Sequence, residues 1–229
     1  MPRPSNRTAR RTSPKASSDA ARAAQRGPSR VRATRAAERR DAILAAALDE
    51  FSARGFAAAR LDDVARRANV AKGTIYLYFA DKEALFQELI RAELSPVVGV
   101  LIQAAHADIP IRQFADRVVE VFVREVFETR RKDVIRLVLT EGARFPKLAE
   151  FYYQEVISRV LAAIRALVQR AIERGELRHD ALLKYPQLIP APALVAIMWN
   201  GLFDRFEPLD VRALMRAHFD ILFDDRSAT

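Results

Sequence analysis

From Ile43 onward, apolar residues recur at intervals of three and four, the period of one helical face. Ile43, Leu44, Ala47, Leu48 and Phe51 form the first stripe, on a helix that begins near Thr34 and stops at Gly55. Val64, Ala65 and Ala68 mark a short second helix over residues 62–68, whose opening carboxylates, Asp62 and Asp63, suit the positive end of the helix dipole. Asn69 ends it, because a stop of this kind needs a residue that tolerates positive φ. Val70 plugs the turn, and Ile75 and Phe79 face inward from a third helix over residues 72–79.

The same period continues downstream. A helix from Asp81 to Ser95-Pro96 turns Leu85, Phe86, Leu89 and Ile90 inward; another starts at Pro110 with Phe114, Val118, Val121 and Phe122 in register. A helix over residues 132–144 is broken by Phe145-Pro146, since proline cannot continue a helical ladder. The longest stretch, residues 147–174, stops at Gly175, and two apolar helices over residues 186–206 and 209–223 complete the chain. No run alternates as a strand does. The pattern predicts an all-α fold: a disordered basic tail (1–33), an N-terminal three-helix domain with a helix-turn-helix (34–80), and a C-terminal helical bundle for ligand binding and dimerisation (81–229).

Inward placement of Ile75 and Phe79 leaves Lys72, Gly73, Thr74, Tyr76, Leu77 and Tyr78 on or near the outer side of the third helix. A short polar and aromatic face of that kind fits the DNA major groove, where side chains reach phosphates and base edges. Gly73 would let the backbone approach the duplex. The backbone amides opening the helix at residues 80–83 would form an anion site. The plain alternative is a surface helical hairpin with two half-buried tyrosines.

Charge sharpens the picture. The chain carries a net +9, yet residues 1–40 hold 12 of its 38 Lys and Arg beside only Asp19 and Glu38, while the remainder is nearly neutral. A basic arm just before a helix-turn-helix binds polyanions by counterion release; the competing reading is a tail that only aids solubility. With no cysteine, disulfides, thiolate metal sites and cysteine nucleophiles are excluded. His106, His179 and His218 are scattered without helically spaced ligand partners, and no phosphate loop or nucleophile elbow is present. No catalytic role, metal or cofactor is expected. No apolar run approaches a membrane span, and a cytoplasmic location is expected.

With these motifs in order, the chain resembles the tetracycline-repressor (TetR-type) family of transcriptional regulators. The likeness is carried by residues 38–90, above all by the run A-K-G-T-I-Y-L-Y-F-A-D-K-E from Ala71 to Glu83; beyond them it rests on architecture and length. It implies DNA contacts by Lys72, Thr74, Tyr76 and Tyr78, and a phosphate contact by Lys82. Two departures stand out. Ala59-Arg60 replaces the Ser or Thr that usually caps the second helix, so Arg60 would touch phosphate itself, and Asn69 replaces a glycine. The long basic extension suggests added contacts by Arg39 and neighbouring arginines.

The resemblance further implies an effector cavity within residues 81–206, and Phe114, Phe122, Tyr152, Trp199, Asn200 and Phe203 are the candidates to line it; ordinary core packing is the alternative for each. The last two helices either lie at the centre of one protomer or pair with a second copy, and the dimer fits an operator with two half-sites. The function implied is a ligand-responsive repressor released from operator DNA by a small molecule. The alternative is a nonspecific or structural DNA binder without an effector.

Overall fold

The computed structural model describes residues 16–178 and 180–223, with side chains from residue 32 onward. Among the described residues every regular element is helical. By compactness the chain divides into residues 1–42 and residues 43–229, and the boundary expected near residue 80 falls inside the second unit.

Helix α1, Ala16–Ala58, begins well before Thr34, where the sequence pattern placed its start. Ala and Arg, good helix formers, make up over half of residues 16–33, and the helix continues through Gly27 and Pro28 despite their low propensity. Residues 1–15 of the expected tail lie outside the described residues. Gly55 interrupts α1 at φ 73° and ψ 166°, a left-handed kink only glycine adopts readily. A Cβ at Gly55 would stand 2.7 Å from Glu141 Oε1, a side-chain tip that can move aside, so the backbone angle is what requires glycine.

Helices α2 (Leu61–Arg67) and α3 (Lys72–Tyr76) follow, joined through Asn69 at φ 53°, the positive φ its position called for. Helix α3 ends at Tyr76 rather than near Phe79, but Phe79 still packs inward, 4% exposed, beside fully buried Ile75. The head's core is Ile43, Leu44, Phe51, Phe56, Val64 and Ile75. Within it lies one buried carboxylate, Glu50, 1% exposed, approached by Arg54 Nε at 3.1 Å and Arg67 at 3.2 Å. The Arg67 contact ties α2 to α1.

Helix α4, Lys82–His106, runs through Pro96 without stopping. Packed around it are α5 (Ile111–Val121), α6 (Arg131–Glu141), α7 (Pro146–Tyr152) and α8 (Ser158–Glu173). Two π-helical turns join them: Phe122–Phe127 extends α5, and Tyr153–Ile157 links α7 to α8. The single long helix expected over residues 147–174 is thus three consecutive segments, ended by Gly175 at φ 72°. A short helix α9 (Ala181–Lys184) and a 3-10 turn (Pro186–Leu188) precede α10 (Ala191–Leu202), and α11 (Val211–Phe223) closes the described chain against α5, where Arg212 pairs with Glu120.

Head and body share one hydrophobic core. Phe56 meets Phe51, Phe86 and Phe145 at centroid distances of 5.5, 5.4 and 4.8 Å, the last two edge-on as aromatic quadrupoles favour. Arg130 reaches Asp49 at 2.5 Å from the start of α6.

Candidate nucleic-acid interface and ligand cavity

Helix α3 projects because one of its faces is fixed in the core. Ile75 and Phe79 anchor it, leaving Lys72, Gly73, Tyr76 and Leu77 exposed and Thr74 and Tyr78 partly so. Leu77 is 83% exposed and Tyr76 50%, a large apolar and aromatic offering for a surface helix. A Cβ built at Gly73 meets nothing within 4 Å, so nothing inside the protein demands a glycine there. Lys72 Nζ lies 2.7 Å from Asp62 Oδ1, and that hydrogen bond holds the ammonium above its usual range. The pair is open to solvent and therefore weak, so a phosphate can compete for the lysine.

Arg60 occupies the N-cap of α2 with no side-chain cap, as the missing Ser or Thr predicts, and is exposed. Arg39 is exposed on α1, within the first compact unit.

Lys82 is engaged within the head. Its ammonium donates to the carbonyls of Phe56, Ala57 and Ala59 at 2.6, 3.0 and 3.2 Å, and sits 4.7 Å from the Phe56 ring centroid. The physical cause is the end of α1, whose last carbonyls have no intrahelical partners and take the three donors of the lysine instead. Burial pulls the Lys82 ammonium below its usual range, partly offset by the carboxylates of Glu141 and Glu83. At the start of α4 the Asp81 carboxylate accepts from the Ala84 amide at 2.7 Å and caps the helix.

A cavity of about 220 Å³ lies in the body, bordered by α4, α5, α6, α7, α8, α10, α11, the 3-10 turn and both π-helical turns. Phe114, Phe122 and Tyr152 line it, as the sequence suggested. Trp199, Asn200 and Phe203 do not. Pro190, at the N-cap, and Ala193, Leu194 and Ile197 on α10 form the inward stripe; helical geometry turns Trp199 and Phe203 to another side, while Asn200 follows the stripe one turn beyond Ile197, outside the lining. Trp199 instead donates its indole N–H to the Glu207 carbonyl at 2.8 Å and packs edge-on against Phe203. The residues missed, including Val98, Val156, Ile164 and Met215, are plain aliphatic positions that composition cannot separate from core.

Elsewhere the chemistry is sparse. His106 Nδ1 and His218 Nε2 lie 2.9 and 2.8 Å from the Ile102 and Leu188 carbonyls, and His179 lies outside the described residues. Among the described residues no group of His, Cys, Asp or Glu could hold a metal, and no helix is long and apolar enough to cross a membrane.

A short exposed helix set after α2 at a tight turn, followed by a helical body with an apolar cavity, is the arrangement of a helix-turn-helix transcriptional regulator. Residues 43–89 match the family described as bacterial regulatory proteins, tetR family, and residues 111–221 match the tetracyclin repressor-like C-terminal domain. The chain belongs to the tetR family, a class of ligand-responsive, DNA-binding regulators of transcription. It is 34% identical over 151 residues to the transcriptional repressor BepR of Brucella suis, covering 63% of this chain and 71% of that protein. Among solved structures, the fatty acid degradation regulator FadR of Bacillus halodurans superposes with a TM-score of 0.70 at 20% identity, covering 82% and 96% of the two chains. A SmeT–triclosan complex gives 0.69 at 20% identity over 80% and 89%.

Proposed function

We propose that this protein is a homodimeric repressor whose α3 helices read two operator half-sites, and that a small molecule in the body cavity releases it. The observation that carries the reading is the exposed face of α3, with Leu77 and Tyr76 standing free of the core and a glycine at position 73 that the protein's own packing does not require. Lys72, Thr74, Tyr76 and Tyr78 supply phosphate and base contacts, Gly73 permits close approach, Leu77 offers an apolar surface to a thymine methyl, and Arg60 and Arg39 add phosphate contacts. Lys82 acts one step back, holding the end of α1 in place.

Dimerisation through residues 186–223 is supported by the apolar side chains left open there: Val195, Leu202, Phe203 and Phe206 on and after α10, and Ile221 on α11. Large apolar side chains exposed on neighbouring elements suit a partner, and a second copy would supply the two reading helices that half-sites about 34 Å apart require. BepR is named as a repressor and SmeT was solved with triclosan bound; both favour repression relieved by a ligand. The role is regulatory rather than catalytic, and its place is the cytoplasm.

The test is retardation of DNA fragments from the protein's own genome against random DNA, across a salt series. A preferred fragment, bound with two-fold symmetric protection, supports the reading. Equal affinity for all fragments would favour the structural DNA binder instead.

A further inference from the structure

We propose that the body cavity takes a neutral, largely apolar molecule of roughly ten heavy atoms bearing one hydrogen-bond acceptor, which the Tyr152 hydroxyl meets. This rests on the ligand-responsive reading above and adds the chemical class of the ligand.

Three observations carry it. No residue lining the cavity is charged. A carboxylate or ammonium entering there would leave its hydration behind and find no counter-charge, so ionised ligands are disfavoured. The second observation is polar: only Tyr152 and Gln187 bring polar side chains to the lining. Gln187 is exposed, on the 3-10 turn before α10, and marks where the cavity reaches solvent. Tyr152 is only 7% exposed and borders the cavity, and among the described residues its hydroxyl makes no hydrogen bond. A hydroxyl open to the cavity takes its partner from whatever fills that space, and a ligand acceptor supplies it. Burial also pushes the phenol up to about 12, so at neutral pH it stays a donor.

The third observation concerns size and adaptability. At about 220 Å³ the cavity exceeds the roughly 150 Å³ that takes benzene, which suits a short chain or a substituted ring. Both π-helical turns contribute lining, Phe122 and Val126 from one, Val156 and Ile157 from the other. Turns of that type recur beside functional sites, and Tyr152 directly precedes the second.

The experiment is calorimetric titration of the full chain with 2-nonanone, nonane, nonanoate and nonyltrimethylammonium, on wild type and Tyr152→Phe, with circular dichroism to confirm that both fold. The ketone should bind roughly tenfold or more tighter than either ion. Tyr152→Phe should weaken the ketone about tenfold while leaving nonane unchanged. Equal binding of an ion and the ketone, an unchanged ketone affinity in Tyr152→Phe, or no binding of the ketone would each overturn the proposal. Failure of the underlying reading looks different: the ketone binds with the predicted preferences, yet saturating amounts leave the retained genomic fragment bound.

Discussion

The Lys82 ammonium sits 4.7 Å from the centroid of the Phe56 ring while donating to the Phe56 carbonyl at 2.6 Å, so one side chain of α4 closes the end of α1. The two candidate roles of this lysine separate cleanly in solution. Lys82→Ala should destabilise the protein by about 2–3 kcal/mol in urea denaturation, since hydrogen bonds to a charged donor are lost and buried carbonyls go unmet. The salt dependence of its DNA binding should not change. Lys72→Ala should do the reverse, keeping stability while lowering the slope of log K against log salt by about one per head. If Lys82→Ala also lowered that slope, Lys82 would be a phosphate contact after all.

Gly73 offers a test of the duplex-facing side of α3. The open space around it means that Gly73→Ala should be tolerated, and should even stabilise α3 by about 0.5–1 kcal/mol through helix propensity. DNA affinity should nonetheless fall about tenfold, because the added methyl meets a phosphate or base edge in the complex. Unchanged affinity in a binding isotherm would remove position 73 from the interface.

Tyr152 should leave a signature at high pH. Its phenol is pushed up to about 12 by burial, against roughly 10 in an unfolded chain. A proton held more tightly in the folded state stabilises the fold fully below pH ~10, and that contribution disappears as pH rises through ~12, about 3 kcal/mol in all. Wild type should therefore lose stability relative to Tyr152→Phe across this window, read as diverging urea midpoints at about pH 9 and about pH 11. A constant difference between the two proteins would show that the phenol is not desolvated.

The exposed apolar face gives the fourth expectation. Ile221 on α11 is 81% exposed and Leu202 on α10 is 56% exposed. Replacing either by Glu should leave the protomer folded yet weaken self-association by about a hundredfold, measured by sedimentation equilibrium, because a charge is then desolvated at a contact. DNA retardation should weaken in step. Variants that sediment as wild type would place the interface elsewhere.

How much of this was legible in the chain depended on how local the cause was. The stop at Asn69, the inward turn of Ile75 and Phe79 and the uncapped start at Arg60 are set by residues within one helical turn, and the sequence shows them. The carbonyl partners of Lys82 lie 23 to 26 residues away, so its motif position could not show them. Trp199 was a natural cavity candidate because an indole needs a partner; the Glu207 carbonyl, beyond the end of α10, satisfies it outside the cavity. The π-helical turn at Tyr153–Ile157 adds a residue without changing composition, and no periodicity reading of the 147–174 stretch could separate it.

The ring cluster of Phe51, Phe56, Phe86 and Phe145 also limits what can be built from this protein. A chimera that joined residues up to 80 to another regulator's body would leave two of the four rings behind and the others facing water. The portable cassette is longer than the motif: it must bring along the beginning of α4 and a matching aromatic from the host, or the transplanted reader will arrive half-melted.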